Sequence, residues 1–219
     1  MDNLNLSKTM LFNGISENEI NDLLPCIGAK KQNFAKDEII FRCGDTISQI
    51  GLVLSGSVNI VVNFLRGNSN IFGHIRSGDI FGANYALSAK ELICDVVTAE
   101  QSEILFLDMK KILTSCEKNC PYHHKIIYNL FKISSLKSIK MSMRMTHTAP
   151  KTIRERLLSY FGEQAMLNSS SSFSVPFSRS ALADYLGVDR SAMSNELSKM
   201  ARDGLISYNK NEFSLNDLK

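Results

Sequence analysis

The stretch from Phe177 to Met200, FSRSALADYLGVDRSAMSNELSKM, holds two short helical patterns on either side of a tight turn. Ser178 is placed to cap the first, and Leu182, Ala183 and Leu186 mark its buried face. Gly187 takes a left-handed conformation without a Cβ penalty, and Asp189 can cap a second helix that starts at once. That second helix carries Met193, Leu197 and Met200 inward. Arg190, Ser191, Ser194, Asn195 and Lys199 then form a polar, cationic surface suited to a DNA groove. The small Ala183 lets two helices cross closely, as a helix-turn-helix requires, although a helical hairpin in an ordinary core would share part of this spacing.

Beyond the pair come Asp203, Gly204, Leu205 and Ile206, then SYNKNEFSL, which reads as two brief strands around a polar turn at Asn209 to Asn211. A hairpin there makes a winged helix. Upstream, KTIRERLLSYFGEQAML is an amphipathic helix, NSSSS at 168–172 is a loop, and a strand is expected from Phe173 to Val175.

The N-terminal half has a different rhythm. Residues 10–24 read as a short amphipathic helix, with Ser16 and Glu19 in a capping box. Short strands are then expected at Glu38 to Phe41, Ile50 to Leu54, Val58 to Asn63, Ile71 to Ile75 and Glu103 to Asp108. They are separated by turn signals at Gly44-Asp45, Ser55-Gly56, Gly67-Asn68 and Gly78-Asp79. Turns about every ten residues with no long helix between them describe an antiparallel sandwich or jelly roll.

A short helix near Met109 to Ser115 leads to a long one from about Pro121 to Met145. Its apolar positions Ile126, Leu130, Ile133, Leu136, Ile139 and Met143 step by threes and fours, which predicts a coiled-coil-like contact with a second copy. A helix packed only on its own barrel is the alternative. Thr146 to Pro150 breaks the pattern, so the hinge between domains is expected there. The chain thus divides into an effector barrel at 1–117, a dimerisation helix at 118–147 and a DNA-binding domain at 148–219: an α+β protein.

Composition fits this division. A hydrophobic fraction of 44% and a charged fraction of 21% belong to a globular protein. The chain shows no apolar run of membrane-spanning length and no signal-peptide order at its start, so a cytoplasmic location is expected. A net charge of +3 alone does not indicate nucleic acid. Its distribution says more: Lys118, Lys125, Lys132, Lys137, Lys140 and Arg144 occur with no acid between Lys118 and Thr148. The five cysteines (Cys26, Cys43, Cys94, Cys116 and Cys120) make no disulfide framework, and only Cys116 and Cys120 have i, i+4 spacing.

This order of parts resembles the cyclic-AMP receptor protein and fumarate-nitrate regulator (Crp/Fnr) family of bacterial transcription regulators. The resemblance is carried by GDTISQIGLVLSGSVNI, RSGDIFGANYAL and ADYLGVDRSAMSNELSKMARDGLI. It implies a homodimer on a pseudo-palindromic duplex, an effector bound in the barrel against the long helix, and contact with RNA polymerase. In cyclic-AMP-binding members a glutamate follows the Phe-Gly pair, here Phe81-Gly82, and an arginine followed by serine or threonine holds the phosphate. This chain has Ala83, Ile93 and Cys94 at those positions. A buried phosphate without such a donor is costly, so the expected effector is something other than cyclic AMP, or none, the protein then binding DNA constitutively.

Other sensing modes find little support. Only Cys26 precedes the barrel, which does not make an iron-sulfur cluster. His74 is the barrel's one histidine and the only candidate haem ligand, but a lone strand histidine reads first as a surface residue. Cys94 could be a redox- or metal-sensing thiol or simply a small buried side chain. No cofactor is expected.

A metal-dependent cupin-type enzyme needs clustered histidines, and His123 and His124 are adjacent on a helix and diverge by about 100°. No GxSxG or nucleotide-binding glycine loop occurs, so the chain is not expected to be an enzyme. A protein-interaction module would need no DNA at all.

On the DNA side, Arg190 in the first turn of the second helix can pair with guanine O6 and N7 or clamp a phosphate, and the family's pattern favours the base contact. Many relatives have glutamate at the position of Ser191 and arginine at that of Asn195. Asparagine matches adenine better, so the operator should be richer in A·T. Ser178, Arg179, Ser180 and Lys199 are candidate phosphate binders.

Overall fold

The structure, a computed structural model, describes residues 4–63, 69–114 and 122–216. It comprises two compact units, Met1–Ser135 and Leu136–Lys219. Lys118, Cys116, Cys120, Pro121 and the Gly67-Asn68 turn lie outside the described residues.

In the first unit, helix α1 (Glu17–Cys26) starts where the capping box predicts: Glu19 N–H donates to Ser16 Oγ at 3.5 Å, and Ser16 N–H donates to Oε2 of Glu19 at 2.7 Å. Residues 10–14, expected to belong to this helix, are turns instead. Ser16 ends any upstream helix because its extended backbone begins a new one. The turns are held from the long helix, where the buried amide of Asn129 donates to the carbonyls of Leu11 at 2.9 Å and Asn13 at 2.8 Å.

The strands are β1 (Lys30–Phe34), β2 (Ile39–Phe41), β3 (Gln49–Ser55), β4 (Ser57–Asn63), β5 (Ser69–Arg76), β6 (Ile80–Phe81), β7 (Asp95–Thr98) and β8 (Ser102–Asp108). A short helix α2 (Ala83–Ser88) follows β6. The strands form two antiparallel four-stranded sheets, ordered β1-β8-β3-β6 and β2-β7-β4-β5, which are the two layers of a jelly roll. The strands at Lys30, Ile80 and Asp95 were not evident in the sequence. β1 has a mostly polar, exposed run, and β6 and β7 are only two and four residues long.

Strand β3 shows why its sequence is an unbroken apolar run. Ile50, Leu52 and Leu54 pack against helices, while Val53 faces the second sheet. Strand β8 divides in the same way, with Leu105 and Leu107 on the helix side and Ile104 and Phe106 on the inner side. Both strands are therefore buried on both faces, which removes the apolar-polar alternation of a half-exposed sheet. Gly51 is needed at its position, because a Cβ there would run into the ring of Phe81.

The short helix α3 (Met109–Leu113) leads to α4 (His123–Thr148). Ile126, Leu130 and Ile133 of α4 are buried with the α1 and β3/β8 residues. The single stripe read from the sequence does not continue: Leu136, Ile139 and Met143 are exposed. At 100° per residue these three lie well around the helix from Ile126. The same outward side carries Tyr128 and Phe131, which is 75% exposed, together with Ser135, Ser138 and Ser142.

In the second unit, α5 (Ile153–Asn168), α6 (Arg179–Leu186) and α7 (Arg190–Arg202) pack on a three-stranded sheet ordered β10-β11-β9, formed by Ile206–Asn209, Glu212–Leu215 and Ser172–Ser174. Its core joins Leu157, Tyr160 and Phe161 of α5 to Leu182, Ala183 and Leu186 of α6, to Met193, Leu197 and Met200 of α7, and to Phe173 and Phe213 of the sheet. The predicted hairpin is β10-β11, with Lys210 at φ 53 in its turn. This is a winged helix-turn-helix.

Candidate nucleic-acid interface

The turn between α6 and α7 is built as its sequence requires. Gly187 ends α6 in a left-handed conformation, at φ 64 and ψ 43, and its N–H bonds back to the last carbonyls of α6. Two residues on, the Asp189 carboxylate accepts the Ala192 N–H at 2.8 Å and the Ser191 hydroxyl at 2.5 Å. The Ser191 hydroxyl and then the Ala192 N–H hold this carboxyl below its usual range. Arg156 of α5 braces the turn from below, its guanidinium donating to the carbonyls of Leu186 at 3.0 Å and Gly187 at 3.3 Å.

Helix α7 turns one side to solvent. With Met193, Leu197 and Met200 buried, the opposite side carries the exposed Ser191 and Asn195. Arg190 is also exposed, at the first position of the helix and beside this face. Ser194 is half-buried, and its hydroxyl donates to the Arg190 carbonyl at 2.9 Å. Ser198 and Arg202 continue the exposed face, and the sequence reading passed over both. Their spacing of seven and eleven residues from Ser191 is the signal that identifies them.

The candidate phosphate binders have varied surroundings. Ser178 caps α6, its Oγ accepting the Ala181 N–H at 3.2 Å. Ser180 is exposed in the first turn of α6. Arg179 instead turns to the wing: it donates to the Lys210 carbonyl at 2.7 Å and lies 4.7 Å from the Phe213 ring centroid and 5.1 Å from that of Tyr208. Burial there pulls its pKa down. Lys199 is exposed and stands 3.9 Å from Glu196, which is itself held by Arg154 at 2.6 Å.

In the jelly roll, Phe81 and Cys94 are buried, Ala83 is half-buried at the start of α2, and Gly82 supplies a left-handed turn at φ 79. Ile93 faces solvent at 71% exposure because Leu92 and Cys94 on either side take the inward positions. Between the sheets, Phe41 lies 5.9 Å from both Phe81 and Phe106, and Phe106 lies 6.1 Å from Phe34, so phenyl rings fill this part of the interior. Burial, and then the nearby Cys43 and Asp95, push the Cys94 thiol up. His74 is an exposed strand residue, its Nδ1 2.8 Å from Oδ1 of the cross-strand Asn59. Among the described residues no three of His, Cys, Asp and Glu gather into a metal-binding group.

A jelly roll followed by a winged helix-turn-helix with an exposed second helix defines a DNA-binding transcription regulator. Residues 31–119 match the model of the cyclic nucleotide-binding domain, and residues 155–219 match that of the Crp-like helix-turn-helix domain. The chain belongs to the Crp/Fnr family of transcription regulators.

It is 24% identical over 201 residues to Electron transport regulator A of Shewanella oneidensis, covering 88% of this chain and 76% of that protein. It is also 27% identical over 125 residues to the potassium channel KAT1 of Oryza sativa subsp. japonica, covering 57% of this chain but only 17% of the channel. Among solved structures, CprK complexed with OCPA superposes with a TM-score of 0.64 at 15% identity, over 93% of this chain and 92% of that one. The c-di-GMP responsive regulator CLP of Xanthomonas campestris gives 0.56 at 18% identity, over 92% and 100%. At these identities the structures show the shared fold. Among the described residues no helix is long and apolar enough to cross a membrane.

Proposed function

We propose that this protein is a cytoplasmic homodimer that reads a pseudo-palindromic duplex by placing α7 of each copy in the major groove. The observation that carries this reading is the solvent-facing side of α7, where Ser191 and Asn195 stand clear of the buried Met193, Leu197 and Met200, with the exposed Arg190 beside them at the helix start. In this arrangement Arg190 pairs with a guanine edge, Asn195 with adenine, and Ser180 and Lys199 bind phosphates. The outward side of α4, with Phe131, Leu136, Ile139 and Met143 among small serines, supports dimerisation through that helix. RNA polymerase is the further partner, and no catalysis is involved.

Selection of bound duplexes from a random library tests the reading. A recovered two-fold symmetric site with half-sites about one helical turn apart supports it. Salt-independent binding, or no binding to duplex DNA, overturns it. Dimerisation is tested separately by the sedimentation of Ile139→Glu, which should shift toward monomer.

The jelly roll is the sensing unit in this reading, and its effector is not cyclic AMP. Ala83 has no carboxylate, and Ile93 has no donor and faces solvent. The phenyl rings of Phe34, Phe41, Phe81 and Phe106 favour a second reading, in which the barrel takes no ligand and DNA binding is constitutive. Thermal-shift screening of small molecules, paired with a DNA-binding assay, separates the two.

A further inference from the structure

The end of α4 was expected to be a hinge, yet in the second unit it is bonded at every turn. Arg144 donates from Nε to the Tyr185 carbonyl at 3.0 Å and from Nη2 to the Asp184 carbonyl at 3.1 Å, reaching the last turn of α6. Its guanidinium also lies 5.6 Å from the centroid of the Tyr185 ring.

One turn on, His147 is 2% exposed. Its Nε2 stands 3.0 Å from Oε2 of Glu163 on α5, and its Nδ1 stands 2.9 Å from the Tyr185 hydroxyl on α6. An imidazole with its proton on Nε2 satisfies both: Nε2–H donates to the carboxylate, and Nδ1 accepts from the phenol. The ring sits edge-on to Tyr160 at 5.4 Å and beside Tyr185 at 5.8 Å.

The connector that follows is tied as well. Ala149 N–H bonds to the Met145 carbonyl at 2.9 Å, and Arg156 holds the Pro150 carbonyl at 2.8 Å with the same guanidinium that braces the Leu186–Gly187 turn.

We propose that Arg144 and His147 are positioning residues that make the last turns of α4 part of the DNA-reading body. On this basis α6 and α7 take their orientation directly from α4, and not through a flexible link at 146–150. A buried imidazole bridging two other helices fixes rotation as well as distance, because each ring nitrogen has a different partner. The proposal rests on α7 being the DNA-contacting helix, but its first test needs no DNA.

Amide hydrogen exchange of the full-length protein is that test. In the wild type, amides at the end of α4 should exchange in the same slow class as those of α6. Removing the bridge with His147→Ala should speed exchange at the end of α4 by about tenfold, roughly one hydrogen bond to a charged group, and leave α7 unchanged. Glu163→Gln keeps an acceptor for Nε2–H and should behave as wild type, whereas Glu163→Ala should behave as His147→Ala. If His147→Ala does not fold, Tyr185→Phe keeps the ring stacking and removes only the hydroxyl partner.

Unchanged exchange at the end of α4 in these variants, or an equal rise across the whole winged helix, overturns the proposal. A second measurement uses the duplex recovered by selection. His147→Ala and Arg144→Met should each weaken that complex by about tenfold, with the double variant no worse than the poorer single one. Additive losses, or none, count against a shared positioning role. If the wild type binds no duplex, the DNA reading fails, while the exchange result still decides whether the last turns of α4 belong to the winged-helix unit.

Discussion

Arg154 Nε stands 2.6 Å from Oε1 of Glu196, and the Nη2 of the same guanidinium stands 2.7 Å from Oδ2 of Asp203. One side chain of α5 thereby grips α7 at its middle and at its C-terminal cap. If α7 reads DNA as proposed, the grip bears on function because Glu196 is one residue from Asn195, and any rotation of α7 about its axis carries both.

Arg154→Met should therefore loosen α7 without emptying the core. The ion pairs are partly exposed, so the loss is modest: a fall in Tm of at most about 4 to 8 °C for a domain of this size. Salt should shrink the difference between variant and wild type, because screening weakens the pairs the variant lacks. Melting both proteins at low and high salt checks this, and a difference that grows with salt counts against it.

The base contacts proposed for Arg190 and Asn195 predict different kinds of loss. Arg190→Ala should cost about 1 to 3 kcal/mol of specific binding and relax one position of each half-site. Asn195→Ala should relax an A·T position. Repeating the duplex selection with each variant shows the pattern. A uniform loss across all sequences would place Arg190 on phosphate instead.

Much of this site was legible before the structure. The cap at Ser178, the left-handed turn at Gly187, the second cap at Asp189 and the three buried residues of α7 all follow from local chemistry, and each stands where its residue type puts it. What stayed hidden depends on partners distant in sequence. Arg179 looked like a phosphate ligand until the wing brought Phe213 and Tyr208 under it, a meeting that helix periodicity cannot show. Ile93 looked like a pocket residue because the resemblance aligned it, but it lies in the bend before β7, where its neighbours Leu92 and Cys94 are buried and it is left outside. The apolar run along α4 read as one stripe because its steps are threes and fours, but three successive threes turn Leu136, Ile139 and Met143 away from Ile126.

Gly51 was legible only as a break in an apolar strand. Its reason is Phe81, paired across from it on β6, whose ring occupies the space a Cβ would take. Gly51→Ala should destabilise the jelly roll by about 1 to 3 kcal/mol through overpacking. The double variant Gly51→Ala with Phe81→Leu should recover part of that loss, since the smaller side chain leaves room. Chemical denaturation of the three proteins measures it, and equal instability of the single and double variants would show that the clash is not the cause.

Asn129 makes a comparable prediction at the other end of this unit. Its amide donates to two carbonyls of the 10–14 turns, so Asn129→Leu leaves the buried Leu11 acceptor and the partly buried Asn13 acceptor without their donor. The expected cost is about 1 to 3 kcal/mol, with faster proteolysis near Phe12. Asn129→Asp should not rescue it, because a carboxylate brings no donor. A stable Asn129→Asp would contradict the hydrogen-bond assignment.

The last prediction concerns pH and Tyr160, whose ring lies against His147, Phe161, Phe177 and Tyr185. Burial, followed by the neighbouring Tyr185 and Glu163, pushes its phenol up to about 12. In the unfolded chain it ionises near its ordinary value of about 10. The folded state therefore holds the proton more tightly. Stability is unaffected below about pH 10 and is lost as pH rises from there toward about 12, because the unfolded chain releases the proton first. Tyr185, raised by burial as well, adds to the same slope. Tyr160→Phe should flatten the alkaline loss without abolishing it, leaving the part due to Tyr185. Thermal melts across the alkaline range, with phenolate absorbance followed in parallel, test this directly. If all the tyrosines ionise together near pH 10 while the winged helix remains folded, Tyr160 is not held as its burial requires.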